Sequence, residues 1–327
     1  MLIPLRVNGR TAIAISLFLL LSPSFSCSAQ TSNKAGDHRA AQFEAARAFD
    51  HVKRLVALGP HPSGSDSIKK AQEYIETELK SYGLKVTQDS FNAETPRGTI
   101  AMKNIIAELR GEKPDVVLIT GHYDTKLQSG FVGANDGGSS AAAVLETARV
   151  LSKTTPKYTI WFVLFDGEEA VVDWNEMDGK DNTYGSRHLA SKLSADGTLS
   201  QIKALVLFDM IGDKELDIKR EGESTPWLVD AIWRSAHALG YQKYFLNSEQ
   251  DISDDHLPFK DAGIPVVDLI DFNYGPQHSY WHTNLDTLDK ISGESIKMVG
   301  DAVIRALPEI FKHLDSPVRP PVKPVAP

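Results

Sequence analysis

The chain has 327 residues, 42% of them hydrophobic and 24% charged, with a formal net charge of −8. That composition supplies a sizeable core and excludes a disordered chain. The acidic balance speaks against a binder of nucleic-acid backbones, which needs a basic face. A single cysteine excludes an intrachain disulfide and a cysteine-rich zinc module, so any metal must be held by His, Asp and Glu.

At the start of the chain, Arg6 and Arg10 precede an apolar run from Thr11 to Leu21, then the small residues Ser26-Cys27-Ser28-Ala29. This is the pattern of an export signal over residues 1–29, with cleavage after Ala29, and it predicts a periplasmic or secreted protein. The run is far shorter than the ~20 residues of a membrane-spanning helix, so no stable span is expected. Lipid anchoring at Cys27 is the alternative, but Ser24-Phe25-Ser26 fits a lipoprotein signal poorly. Residues 30–40 read as a flexible polar leader, 41–314 as one catalytic-sized domain, and 315–327 as a disordered Pro-rich tail.

Within the domain, Ala45, Phe49, Val52 and Val56 mark one face of a helix that ends at Gly59-Pro60. Ile68, Ala71, Ile75, Leu79 and Tyr82 mark a second, ended by Gly83. The period then changes to strands over Leu84 to Phe91 and Asn104 to Leu109. Four compact runs follow, Val116 to Ile119, Ile160 to Phe165, Ala204 to Phe208 and Val266 to Ile270, which read as buried strands. Helical segments lie between them, around Ser139 to Leu151, Tyr184 to Leu193 and Pro226 to Leu239, and a last helix is predicted from about Asp289 to His313. The alternation predicts a single α/β domain with a central mixed, largely parallel β-sheet flanked by helices.

In such a sheet, ligands sit beyond the carboxyl ends of the strands. There the chain places His122 and Asp124, then Asp136 before a helix, then Glu168 and Glu169, then Asp209, and finally Trp281-His282-Thr283. Each piece alone has a bland reading. An Asp after a strand is often a helix N-cap, and a Glu-Glu pair is often a solvated helix start. Together they converge on one sheet edge with histidines and carboxylates, the donors that zinc accepts in tetrahedral sites with one open position. One glutamate on the metal and one free to move protons would complete a hydrolytic or acyl-transfer site.

This ordered set, His-x-Asp, Gly-x-x-Asp, Glu-Glu, Asp, His-Thr, resembles the zinc-dependent M28 peptidase superfamily across nearly the whole domain. The resemblance implies a zinc-exopeptidase-like fold, zinc on Asp136, Glu169 and His282, and Glu168 as general acid/base. Two activities occupy that scaffold. Aminopeptidases hold two zinc ions, with Asp136 bridging and His122 and Asp209 completing the second site. Glutaminyl-peptide cyclotransferases use one zinc, with Asp209 and Asp254 in a hydrogen-bond network beside Glu168.

Phe165-Asp166-Gly167-Glu168-Glu169-Ala170 with Trp174 four residues on, Asp254-Asp255-His256-Leu257-Pro258-Phe259, and Trp281 directly before His282 are similar to the cyclases. Gly137-Gly138-Ser139 reads more like bacterial members, and Asn135 is common in aminopeptidases. The resemblance therefore implies conversion of N-terminal Gln of peptides to pyroglutamate with loss of ammonia, catalysed by Glu168, Asp209 and Asp254. Trp174 and Trp281 would wall the pocket, and one zinc would be bound. The alternative is a two-zinc aminopeptidase. Peptide or protein N-termini are the expected partners, with no nucleic acid, and the protein is expected to be a monomer. A non-catalytic interaction domain is the third class, but no ligand position is lost. Asp124 is expected to orient His122 from behind. Helix capping is the bland reading of Asp254, and core packing that of the tryptophans. His188 is expected to be structural and His237 to lie on the surface.

Overall fold

The computed structural model describes residues 43–316. The signal, the leader and all but the first two residues of the predicted tail lie outside them. Two helices come first, α1 (Ala45–Val56) and α2 (Asp66–Ser81). Ser65 starts α2 by accepting the Ile68 N–H at 3.1 Å, and Gly83 follows its end at φ +80°. Next come β1 (Lys85–Thr95), β2 (Gly98–Leu109) and β3 (Lys113–His122), then α3 (Gly138–Leu151), β4 (Tyr158–Phe165), α4 (Tyr184–Ala195) and β5 (Ile202–Asp209). The chain continues with β6 (Ile218–Glu221), α5 (Pro226–Ala238), β7 (Phe245–Gln250), α6 (Leu257–Asp261), β8 (Val266–Ile270) and α7 (Gly293–Leu314).

Six strands form one sheet in the order β1-β2-β4-β3-β5-β8. The β1-β2 and β2-β4 pairs are antiparallel, whereas β4, β3, β5 and β8 run parallel. This is the predicted mixed, largely parallel sheet. Alternation along β3 assigns its two faces: Val117 and Ile119 pack into the larger apolar cluster, Val116 and Leu118 into the smaller. The larger cluster joins the sheet to α1, α2, α3, α5 and α7, and the smaller joins it to α4. Every residue of α3 is buried, and Ala141, Ala142 and Ala143 let neighbouring elements approach closely. Each fully buried Leu, Ile or Val contributes about 1.5–3 kcal/mol, so the parallel strands anchor a rigid platform.

The structure corrects several predicted boundaries. The β1-β2 hairpin runs well past Phe91 and begins well before Asn104, to a turn pairing Thr95 with Gly98. Its outer half carries a small apolar face of its own, in which Ala93 and Met102, with Phe91 and Ile100, pack against Val171 and Tyr184. The last helix starts at Gly293, because Ser292 accepts the Glu294 N–H at 3.2 Å and caps it there. The tail does not begin at 315: Asp315 pairs with Lys113 and Lys157 and accepts from the Tyr158 hydroxyl at 2.8 Å. A parallel pair, β6 with β7, was not predicted. No helix among the described residues is long and apolar enough to cross a membrane.

Candidate active site

The site is built where the parallel strands end. His122 and Asp209 are the last residues of β3 and β5. Asp136 precedes Gly137, whose φ is +82° and where a Cβ would meet the Asp124 carbonyl oxygen at 2.7 Å. Only glycine lets the chain turn there into α3 while passing so close to β3. Glu168 and Glu169 follow β4 in a buried loop, not on a solvated helix start. His282, in the segment after β8, and Met210, directly after Asp209, are non-glycine residues at φ +52° and +46°. Such positions cost of order 1–3 kcal/mol and persist where the surroundings over-determine them.

The donor atoms face one another. His282 Nε2 lies 3.3 Å from Asp136 Oδ2 and 3.3 Å from Glu169 Oε2. His122 Nε2 lies 3.3 Å from Asp136 Oδ1 and 3.1 Å from Asp209 Oδ1. Two groups thus share Asp136: Asp136-Glu169-His282 and His122-Asp136-Asp209. Ligands about 2.0 Å from a tetrahedral zinc stand roughly 3.3 Å apart, so these spacings fit a cation. Asp136 Oδ2 and Glu169 Oε1 are buried without a hydrogen-bond partner, as ligand atoms would be. Burial opposes the ionisation of Asp136, but both histidines hold its carboxyl well below the usual range. Burial likewise opposes charge on His282, yet Glu169 and Asp136 raise it to about 9.

The outer shell explains how these atoms are held. Asp286 accepts the N–H groups of Asn135 (2.8 Å) and Asp136 (3.1 Å) and the Tyr274 hydroxyl (2.7 Å). Trp281 stacks on His282 with ring centroids 4.0 Å apart, and Phe131 meets its edge at 6.2 Å. Lys126 Nζ reaches Glu169 Oε2 at 3.4 Å. Asp124 departs from its expected role. It lies 3.6 Å from His122 Nδ1, beyond hydrogen-bond reach, and instead accepts the N–H groups of Glu168 (3.2 Å) and Glu169 (3.3 Å). Asp286 and Lys126 carry no sequence signal beyond ordinary charge. We expect Asp286→Ala to cost roughly 2–4 kcal/mol, since it strands buried donors, and to weaken metal affinity ~10–100-fold. Thermal melts and chelator competition measure both, and unchanged values would show that Asp286 does not hold the Asp136 turn.

A cavity of about 250 Å³ opens over this cluster. Glu168, Asp209 and Asp254 line it, beside the aromatic walls Trp174, Phe272 and Trp281. Burial pushes Glu168 well above the usual carboxylate range; His122 opposes this, and Asp254, Glu169 and Asp209 add to it. Asp254 is raised by burial, Asp209 and Asp255. Asp254 caps no helix with its side chain; Oδ1 accepts the Asp255 N–H and Oδ2 has no partner. Trp174 is half-buried on an exposed loop and faces the cavity, not the core. Every site residue singled out in the sequence is thus drawn to one place. His188 lies apart, stacked on Phe91 and 3.3 Å from Asp89, and His237 is exposed.

The sequence pattern of peptidase family M28 matches residues 104–307, more than half of the chain. The chain belongs to peptidase family M28. Among solved M28-like structures, a glutaminyl cyclase from an Acidobacteriales bacterium is 39% identical, covers 89% of this chain and 100% of its own, and superposes with a TM-score of 0.80. A leucine aminopeptidase precursor from Bacteroides thetaiotaomicron is 28% identical over 81% of this chain and 97% of its own, with a TM-score of 0.74. The glutaminyl-peptide cyclotransferase of Drosophila melanogaster is 29% identical over 76% of this chain and 78% of its own. The protein is therefore a glutaminyl-cyclase-like member of the M28 family with a zinc-exopeptidase-like fold.

Proposed function

We propose that this protein is a glutaminyl-peptide cyclotransferase with one working zinc ion on Asp136, Glu169 and His282. The observation that carries this reading is the cavity: a small pocket in which Trp174 and Trp281 stand beside the buried carboxyls of Glu168, Asp209 and Asp254. The aromatic walls suit the apolar stem of a glutamine side chain and keep bulk water from the reacting amide. A bound zinc ion supplies Lewis-acid polarisation of the γ-carbonyl.

The chain's own groups handle the protons. The substrate's α-amine attacks its own γ-carboxamide carbon, the new N–C bond closes a five-membered ring, and the old C–N bond breaks. A carboxylate oxygen of Glu168 takes the proton from the attacking amine and returns it to the departing nitrogen, which leaves as ammonia. A raised pKa lets one group do both at neutral pH, and burial beside other carboxyls provides it. Asp209 and Asp254 are assigned to hold the amine and the protonated Glu168 in place. The export signal read at residues 1–29 supports a reaction outside the cytoplasm.

One observation favours a second reading, a two-zinc aminopeptidase: the His122-Asp136-Asp209 group is as compact as the first. Mass spectrometry of two peptides, one starting with Gln and one with Leu, separates them. Loss of ammonia from the first with the second untouched is the expected result. Release of free leucine would overturn the cyclase reading and give His122 and Asp209 to a second metal.

A further inference from the structure

The segment between β4 and α4 carries two kinds of site residue, and different groups hold its two halves. The first half bears Glu168 and Glu169. Asp124 accepts the N–H groups of both, and the N–H groups of Tyr184 and Thr183 donate to the carbonyls of Gly167 (2.7 Å) and Glu168 (2.8 Å). The second half brings Trp174 to the cavity. The Trp174 side chain belongs to none of the apolar clusters among the described residues. Its place is therefore set by the backbone that carries it.

Asp181 holds that backbone. It is wholly buried and does not line the cavity. Its Oδ1 accepts the Val171 N–H (3.2 Å) and the Tyr184 hydroxyl (2.6 Å), and its Oδ2 accepts the N–H groups of Val172 (2.7 Å) and Asp173 (3.0 Å). These donors fill both oxygens of an ionised carboxylate, and an amide in its place could not accept from all of them. The successive N–H groups that lead into Trp174 thus converge on one side chain. Asn182 closes the far side: its Nδ2 donates to the carbonyls of Trp174 (2.9 Å) and Gly179 (3.2 Å). The chain around these ties passes through non-glycine residues at positive φ, Met177 (+55°), Asp178 (+59°) and Thr183 (+43°). Such backbone persists where its surroundings over-determine it, and Asp181 and Asn182 do so here.

We propose that Asp181, with Asn182 behind it, is a positioning residue that sets the Trp174 wall of the cavity and so governs how tightly the substrate side chain is held. This rests on the reading of Trp174 as a wall of the substrate pocket. A general structural staple is the competing role, and its loss would also disturb Glu168 and the metal ligand Glu169. Their separate ties to Asp124, Thr183 and Tyr184 argue that it does not.

The test is a double-mutant cycle on a Gln peptide with Asp181→Asn, Trp174→Ala and the pair, with zinc content measured for each protein. Asp181→Asn turns an amide nitrogen toward buried donors. It is expected to raise KM about tenfold, with kcat within about threefold and zinc content unchanged. In the Trp174→Ala background the same change is expected to cost nothing further, because the wall it places is already gone. An unchanged KM, a fall in kcat or zinc content as large as the change in KM, or losses that multiply would each overturn the proposal. Asn182→Ala, which frees the Trp174 carbonyl, runs through the same cycle if Asp181→Asn does not fold. A wild type that forms no pyroglutamate counts against the cyclase and not against Asp181. The cycle is then read on the KM of leucine release, since Trp174 lines the cavity in either reading.

Discussion

Glu168→Gln is expected to lower kcat for pyroglutamate formation by about 10³-fold, within the range that a general acid/base supplies. KM and zinc content stay near those of the wild type. The geometry separates Glu168 from its neighbour: Glu169 Oε2 faces His282 at 3.3 Å, whereas Glu168 lines the cavity and stands 3.8 Å from His122 Nδ1. Glutamine keeps the shape and a hydrogen-bonding end but cannot shuttle a proton. The pH profile adds a second check. Glu168 works as a base, so activity falls as pH falls through its pKa. Burial raises that pKa, and the acid limb of kcat/KM is expected above the ordinary carboxylate range. The residual activity of Glu168→Gln is expected to keep only the limb set by the substrate's own α-amine, at about 8. Loss of zinc from this variant would instead make Glu168 a ligand, and an unchanged kcat would remove it from the reaction.

The parallel core and the strand-end ligands are legible because each has a local signal. Val266–Ile270 is read to the residue, since its apolar run is bounded by Pro265 and Asp271. His122, Asp136, Glu168, Glu169 and Asp209 stand out because each follows such a run or precedes a helix. Asp286, Glu221 and Asp268 are different. Nothing in their neighbours distinguishes them from solvated acids, and Asp268 sits inside a strand otherwise read as apolar. Their roles come from long-range packing: Ser224 Oγ accepts the Asp268 N–H at 3.0 Å while donating to Glu221, which ties β8 to the end of β6. The pairing of β6 with β7 is hidden for a related reason. Most of β7 beyond Phe245 is exposed and polar, so no periodic apolar face marks it. The sequence order of ligands is local information, whereas the second layer that holds them is not.

Removing Asp136 is expected to have the largest effect on both metal and activity, because it is the residue common to both candidate groups. Asp136→Ala should bind zinc more weakly by well over the ~10–100-fold that an outer-shell loss costs, and turnover should fall below detection. Its signature in the metal-stripped protein is a change in pH dependence. With metal chelated, His282 is pushed to about 9 against burial by Glu169 and Asp136, above an ordinary value near 6.5. The folded state then keeps a proton that the unfolded chain releases. This stabilisation is fully present below about pH 6.5 and is lost as pH rises toward about 9, amounting to roughly 3 kcal/mol at most. Burial-raised Glu168 and Asp254 push the same way, since their ionisation at higher pH also opposes folding. Zinc acts with the opposite sign. Its ligands must be unprotonated, so the stability it adds grows with pH. Melting curves of stripped and zinc-loaded wild type at pH 6 and pH 9 should therefore diverge as pH rises. In Asp136→Ala the stripped protein should lose part of its pH slope, and zinc should no longer separate the curves. A zinc-induced shift that survives the substitution would mean that the metal is held by residues other than these two groups.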